Sequence, residues 1–97
     1  MSTFISLLHY TQQGIESVKD SPARLDAARA AFEKLGAKLT SFYLVTGRYD
    51  AVVIGEAPDD KILAKVALTL ASKGNVRMET LRAFNEKEFR EIVSQLP

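Results

Sequence analysis

The middle of the chain, TGRYDAVVIGEAPDD from Thr46 to Asp60, holds an interrupted run of strand-forming residues followed by a proline and two aspartates. Apolar and β-branched residues predict strands over 38–46 and 50–56, and the short gap between them predicts a hairpin. Gly47 is the residue in this gap that adopts a positive φ without strain. Pro58 ends the second strand, and Asp59 or Asp60 is suited to cap the helix that follows.

The rest of the chain contains similar signals for the start and end of strands and helices. The run TFISLLHY predicts a first strand over 3–10, apolar on both sides. A first long helix is predicted to begin with a cap at Asp20 or Ser21 and to end at Gly36. Its many alanines favour helix and allow close packing on a sheet. A second helix ends at Gly74, a fourth strand covers 76–84, and a short amphipathic helix begins at a capping box of Asn85 and Glu88.

The order of these elements is β, α, β, β, α, β with an added C-terminal helix. A split βαβ unit favours an antiparallel sheet ordered 4-1-3-2 with two helices on one face, which is the ferredoxin-like plait, an α+β fold. Strict alternation in the second strand puts Leu39, Tyr43 and Val45 on one side, and Phe42 and Leu44 on the other. Both sides of the sheet are therefore apolar.

Two helices cover only one side of such a sheet. We expect a second copy of the chain to cover the other side, giving a dimeric α+β barrel, a homodimer or higher homo-oligomer. The alternative is that the C-terminal helix folds over this side. In a chain of 97 residues, which we interpret as one domain over 1–97, the core is thin and association would supplement it.

Composition excludes several functions. Thirteen basic and twelve acidic residues give a net charge of +1 with no cluster of one sign, which argues against nucleic acid and membrane surfaces as partners. The absence of cysteine excludes thiolate chemistry and cysteine-bound metals, and a single histidine excludes a histidine-rich metal site. We expect no cofactor and no metal. The start of the chain shows no basic leader or long apolar segment, so a cytoplasmic location is expected.

Polar residues near the hairpin form the candidate ligand-binding site: His9, Gly47, Tyr49 and Asp50. His9, at the end of a central strand, is suited to act as a general base or ligand anchor, and the alternative is an ordinary hydrogen-bonded strand end. The Tyr49 phenol and the Asp50 carboxylate either converge on a polar ligand or stabilise the turn, with Asp50 accepting backbone N–H groups. Arg77 and Glu79 share one side of the fourth strand and are candidates for an ion pair.

Several segments together resemble the GYD domain family of small bacterial proteins, whose Gly-x-Tyr-Asp signature is here Gly47-Arg48-Tyr49-Asp50. The segments are FISLLHYTQQGI, SPARLDAARAAFEKLGAKL, YLVTGRYDAVVIGEAPDD and GNVRMETLRAFNEKEF, which span nearly the whole chain. The resemblance implies the dimeric α+β barrel and says little about chemistry. The central stretch is also similar to the effector-binding domain of leucine-responsive regulators, which bind small molecules near subunit interfaces, but no DNA-binding helix-turn-helix precedes it here.

Three functional hypotheses remain open at this level. The first is a homodimeric module that binds a small-molecule metabolite between sheet and hairpin. The second is a cofactor-free enzyme of the monooxygenase or isomerase type, as in other proteins of this superfold, with His9, Tyr49 or Asp50 as acid–base groups. The third is a structural assembly subunit whose contact surface is the C-terminal helix. We rank the first above the second because no nucleophile–base pair is apparent in the sequence.

Overall fold

A computed structural model describes residues 1–97. The strands and helices follow the predicted order, with an additional short helix after the first strand. Their bounds are β1 Ser2–Tyr10, α1 Gln12–Glu16, α2 Ser21–Lys34, β2 Lys38–Leu44, β3 Ala51–Ala57, α3 Asp60–Ser72, β4 Val76–Ala83 and α4 Glu86–Ser94, with a single 3-10 turn at Val18–Asp20.

The four strands form one antiparallel sheet in the order β2-β3-β1-β4, which is the predicted 4-1-3-2 arrangement read from the opposite edge. Strand β1 lies at its centre, where Ile5 pairs with Ile54 of β3 and with Leu81 of β4. Because α2 and α3 both contribute side chains to one core against the same side of this sheet, the fold is the ferredoxin-like plait.

Local signals in the sequence begin α3 and α4 as expected, whereas the Asp20 side chain at the start of α2 accepts no capping hydrogen bond and Ser21 is already the first residue of that helix. Asp59 caps α3, its carboxylate accepting the Ile62 backbone N–H at 2.9 Å. Asn85 and Glu88 form the predicted capping box of α4, each side chain accepting from the other residue's backbone N–H. These contacts satisfy amide groups that have no partner within the helix, which is why the boundaries were readable from the sequence.

The hairpin between β2 and β3 is wider than predicted. Strand β2 ends at Leu44 and β3 begins at Ala51, so the residues between them form a six-residue connection. Gly47 has a φ of 125° in this connection, as its position predicted. The connection is closed by a hydrogen bond from the Val45 N–H to the Asp50 carbonyl at 3.0 Å.

The core lies between the sheet and the two long helices. Phe4 of β1 and Phe32 of α2 are its largest buried side chains, with ring centroids 6.3 Å apart. Gly55 of β3 lies opposite Phe4, and a Cβ at Gly55 would come within 2.5 Å of the Phe4 ring. The glycine therefore makes room for the aromatic ring directly on the strand.

A bulge in β2 overturns the predicted alternation of its side chains. The register slips between Leu39 and Ser41, so Leu39 joins the core whereas Tyr43 pairs with Val52 on the opposite side of the sheet. The extra residue, Thr40, donates its hydroxyl to the Ile54 carbonyl at 2.8 Å. An inserted residue reverses the direction of every side chain after it, and its presence was not encoded in the apolar pattern.

Helix α4 extends away from the sheet instead of folding back over it. The molecule measures 51 × 32 × 18 Å, and its radius of gyration of 14.6 Å exceeds the roughly 13 Å of a compact domain of this size. Phe89, Ile92 and Val93 are exposed on α4, so the alternative in which this helix covers the open sheet is wrong within one chain. None of the helices combines the length and the apolar character that a membrane crossing demands.

Candidate functional site

The side of the sheet without helices carries a continuous apolar band, which we call the open face. Pairing across the strands aligns its members in two rows, one containing Ile5 and the other containing Leu7. Tyr43 and Leu81 at its edges are 58% and 43% exposed. The open face consists of Ile5, Leu7, Tyr43, Val52, Ile54 and Leu81.

Charged residues flank both ends of the open face. Lys38 pairs with Glu56 across β2 and β3 at one end, while Arg77 and Glu79 of β4 lie at the other. The ion pair considered for Arg77 and Glu79 does not form, since the only three ion pairs join other residues. An apolar centre with a charged rim is the usual arrangement of a protein–protein contact surface.

His9, Tyr49 and Glu79 meet at one end of this face, in what we call the polar corner. The rings of His9 and Tyr49 lie 4.9 Å apart and are inclined by 33°. The Tyr49 hydroxyl donates a hydrogen bond of 3.2 Å to Glu79 Oε2. Together with Arg48, Arg77 and Met78, these three residues line an open depression of about 350 Å³. The corner can offer both a ring surface and several charges to a ligand.

Asp50 lies on the other side of the sheet, with the helices, although it adjoins Tyr49 in the chain. Its Oδ2 accepts the Tyr10 backbone N–H at 2.9 Å, and its own N–H donates to the Leu8 carbonyl at 2.8 Å. The carboxylate thus ties the hairpin to β1, as the structural interpretation of the signature predicts. Of the four predicted site residues, the fold brings His9 and Tyr49 together, with Gly47 in the adjoining connection, and separates Asp50 from them.

Helix α4 and the residues just after it present a second uncovered apolar surface, the α4 stripe, formed by Phe89, Ile92 and Val93 of the helix and by Leu96 beyond its end. All four side chains are between 46% and 63% exposed. Arg82 holds the start of the helix against the sheet: its guanidinium lies 4.3 Å from the Phe84 ring centre and 3.8 Å from Glu88 Oε2. The sequence indicated the amphipathic spacing of this helix, but not that the stripe would have no partner in the chain.

A cavity of about 320 Å³ lies on the helix-bearing side, between α2, α3 and the sheet, and the sequence analysis did not predict it. Ala27, Ala28 and Ala31 of α2 line it. The density of alanines was the available signal, and we interpreted it as close packing. The structure instead leaves space over these small side chains. No group of three His, Asp or Glu side chains is placed to hold a metal ion.

Comparison with known proteins agrees with this architecture. The model of the family described as "GYD domain" matches residues 4–93, a range that includes both the open face and most of α4. A Thermus thermophilus protein described as "Glutamine synthetase and cystathionine beta-lyase binding protein" is 37% identical over 84 residues, which are 86% of this chain and 88% of that protein. The crystal structure of TTHA0845, also from Thermus thermophilus, superimposes with a TM-score of 0.57 at 29% identity, covering 88% of this chain and 95% of that one.

Proposed function

The chain belongs to the GYD domain family, and from this premise we propose that it is a homodimeric binding protein whose partner is a metabolic enzyme. The observation that carries the proposal is the presence of two separate uncovered apolar surfaces, the open face and the α4 stripe. One serves self-association and the other serves the partner.

The open face is the surface for self-association. Each of its two apolar rows covers three of the four strands, and an uncovered sheet side of this kind normally requires a second layer. A second copy supplies a surface of matching shape and polarity, with the charged residues at the rim of both. The dimeric α+β barrel implied by the resemblance to this family has the same arrangement.

The α4 stripe is the surface for the enzyme partner. An amphipathic helix that projects from a domain is a common ligand for an apolar groove on another protein, with residues three and four apart as its anchors. Phe89, Ile92, Val93 and Leu96 have this spacing. Arg82 contacts the start of α4 through Glu88, and the stripe itself stays exposed.

The class of partner follows from the relative in Thermus thermophilus, which is named for binding glutamine synthetase and cystathionine beta-lyase. An identity of 37% across most of both chains supports a partner of the same kind, a soluble enzyme of nitrogen or sulfur metabolism. A cytoplasmic location is part of this proposal.

Self-association is tested by sedimentation velocity at micromolar protein concentration. Ile54→Lys places a charge in the centre of the open face and should convert the dimer into single protomers. Ala30→Lys, on the exposed surface of α2, adds the same charge elsewhere and should remain dimeric. A wild-type protein that sediments as a single protomer would contradict the proposed dimer.

Enzyme binding is tested with purified glutamine synthetase and cystathionine beta-lyase from the organism that encodes the chain, using size-exclusion chromatography and calorimetry. Ile92→Glu disrupts the α4 stripe and should abolish co-elution, while the dimer persists. Lys87→Glu changes the charge on the opposite side of the same helix and should bind as the wild type does. Equal binding by both variants would remove α4 from the interface, and no binding of either enzyme by the wild type would reject these partners.

A second candidate function is small-molecule binding at the polar corner, favoured by the adjacent rings of His9 and Tyr49 beside Glu79. A planar, polar metabolite would stack on these rings, with Gly47 allowing the connection to adjust around it. Saturable stabilisation in a thermal-shift screen, lost in Tyr49→Ala and kept in Thr46→Ala, which changes an exposed residue of the same connection outside the depression, would support this site. A screen without any stabilising metabolite would count against it.

The enzymatic alternative has less support. Acid–base catalysis within one protomer requires the reacting groups to reach one substrate. His9 and Tyr49 belong to the open-face side of the sheet, whereas the Asp50 carboxylate is engaged with β1 on the helix side. A proton relay among the three would have to cross the sheet.

A further inference from the structure

The cavity between α2, α3 and the sheet is separate from the open face, the polar corner and the α4 stripe. Its walls are mainly apolar, and its volume of about 320 Å³ falls at the lower end of the range of small-molecule sites. The larger apolar side chains of the walls include Leu8, Leu25, Leu39, Phe42, Val53 and Leu70.

The small side chains of α2 are the cause of this space. Ala27, Ala28 and Ala31 face a stretch of α3 that contains Thr69 and Leu70 across the cavity. Longer apolar residues on α2 would let the two helices interdigitate, which is how protein interiors normally exclude voids. The side chains that line the cavity lack dispersion contacts on the side facing the empty space. A ligand of matching shape would supply these contacts when it binds.

The charges around the cavity favour an anion. Arg24 donates only to neutral oxygens, at 2.9 and 3.0 Å to Ser17, 3.2 Å to Gly14 and 2.9 Å to Ser21. Lys73 takes part in no ion pair. The single carboxylate of the lining, Asp50, already accepts a backbone N–H. The lining therefore contains two cationic side chains and one carboxylate, and Lys73 at its exposed edge has no ion-pair partner.

The backbone that carries Lys73 is held in place by α1. Gln13 donates to the Lys73 carbonyl at 3.0 Å, and the Thr11 N–H donates to the Asn75 carbonyl at 3.1 Å. Gly14 packs so closely that a Cβ there would lie 2.0 Å from the Asn75 oxygen. The edge of the cavity is thus preformed, which reduces the entropy that a ligand would lose by ordering it.

We propose that this cavity binds a small apolar monocarboxylic acid, with the hydrocarbon chain under α2 and the carboxylate beside Lys73. The shape and polarity of the lining match such a molecule: an apolar wall large enough for a short hydrocarbon chain, and an uncompensated positive charge at one edge. An apolar amine of the same length would meet two like charges and bind more weakly. The proposal does not depend on the dimer or on an enzyme partner.

The test is calorimetric titration of the full-length protein with octanoate, 1-octanol and octylamine. Octanoate should bind saturably and more tightly than the other two. Lys73→Met keeps the apolar stem and removes the charge, so octanoate should bind about threefold to tenfold more weakly while 1-octanol is unaffected.

Ala28→Leu fills the cavity and should weaken octanoate binding by more than about tenfold. Ala30→Leu makes the same change on the exposed side of α2 and should bind octanoate as the wild type does. Absence of saturable octanoate binding, equal binding of octylamine, or undiminished binding by Ala28→Leu would each overturn the proposal. Lys73→Met still decides the question if Ala28→Leu does not fold.

Discussion

Replacing Asp50 with alanine should destabilise the protein through the loss of a single hydrogen bond. The Asp50 carboxylate accepts the Tyr10 N–H at 2.9 Å in a partly buried position, joining the hairpin connection to the central strand. A hydrogen bond to a charged group contributes about 1.5–3 kcal/mol to stability. In the variant the Tyr10 N–H would lose its acceptor while staying partly shielded from water, which destabilises the folded state. We therefore expect a loss of about 2 kcal/mol, which for a domain of this size lowers the melting temperature by about 8–16 °C.

The measurement is thermal and urea denaturation of both proteins at one protein concentration, followed by circular dichroism. Asp50→Asn serves as the matched control: its amide oxygen still accepts the Tyr10 N–H, so the loss should be about half as large. A melting temperature for Asp50→Ala within about 1 °C of the wild type would refute this role for the carboxylate. Unchanged melting with lost metabolite binding would instead assign Asp50 to a ligand.

Three further changes test the packing, the helix start and the polar corner. Gly55→Ala should cost about 1–3 kcal/mol in urea unfolding, because its Cβ would lie 2.5 Å from the Phe4 ring and 2.7 Å from the Lys38 carbonyl oxygen; a neutral effect would mean that both the ring and the β2 backbone have room to move. Asp59→Ala should cost about 1 kcal/mol in the same assay by removing the α3 cap, whereas Asp60→Ala should cost less than half of that, and equal losses would contradict the cap assignment. Tyr49→Phe removes an exposed hydrogen bond and should change stability by less than about 0.5 kcal/mol, so a larger loss in thermal melting would show that the hydroxyl is structural.

The sequence predicted the open face better than it predicted the α4 stripe. The apolar character of the open face was predicted, because side chains along β1, β3 and β4 point alternately to the two sides of the sheet without a bulge. Each apolar residue in these strands can therefore be assigned to one side of the sheet. The α4 stripe was visible as a helical spacing, but spacing alone does not say whether a partner lies within the same chain. Its exposure depends on the direction in which the chain leaves β4, where Arg82 contacts both Phe84 and Glu88.

The candidate site residues likewise divide into those predicted from local sequence and those brought together only by the fold. Gly47 was open to local reasoning, since a positive φ is a property of a few neighbouring residues. The structural interpretation of Asp50 correctly named the carboxylate as an acceptor of backbone N–H, but its donor, Tyr10, lies forty positions away on β1 and is brought there by the fold. The association of His9 with Tyr49 and Glu79 joins residues forty and thirty positions apart, and it arises from the strand register. The ion pair considered for Arg77 and Glu79 is absent, and Glu79 instead accepts a hydrogen bond from the Tyr49 hydroxyl.

Local chemistry in the chain was enough to establish the order of the four strands and the three longer helices, the caps of α3 and α4, and the plait, because capping residues, glycines and apolar periodicity act over a few positions. Three features required the folded chain: the bulge at Thr40 that turns Tyr43 outward, the separation of Asp50 from Tyr49 by the sheet, and the cavity beside Ala28. Each depends on how segments distant in the chain meet. The free energy of such contacts is set by side-chain shape and strand register in three dimensions, and neither can be read from the order of residues alone.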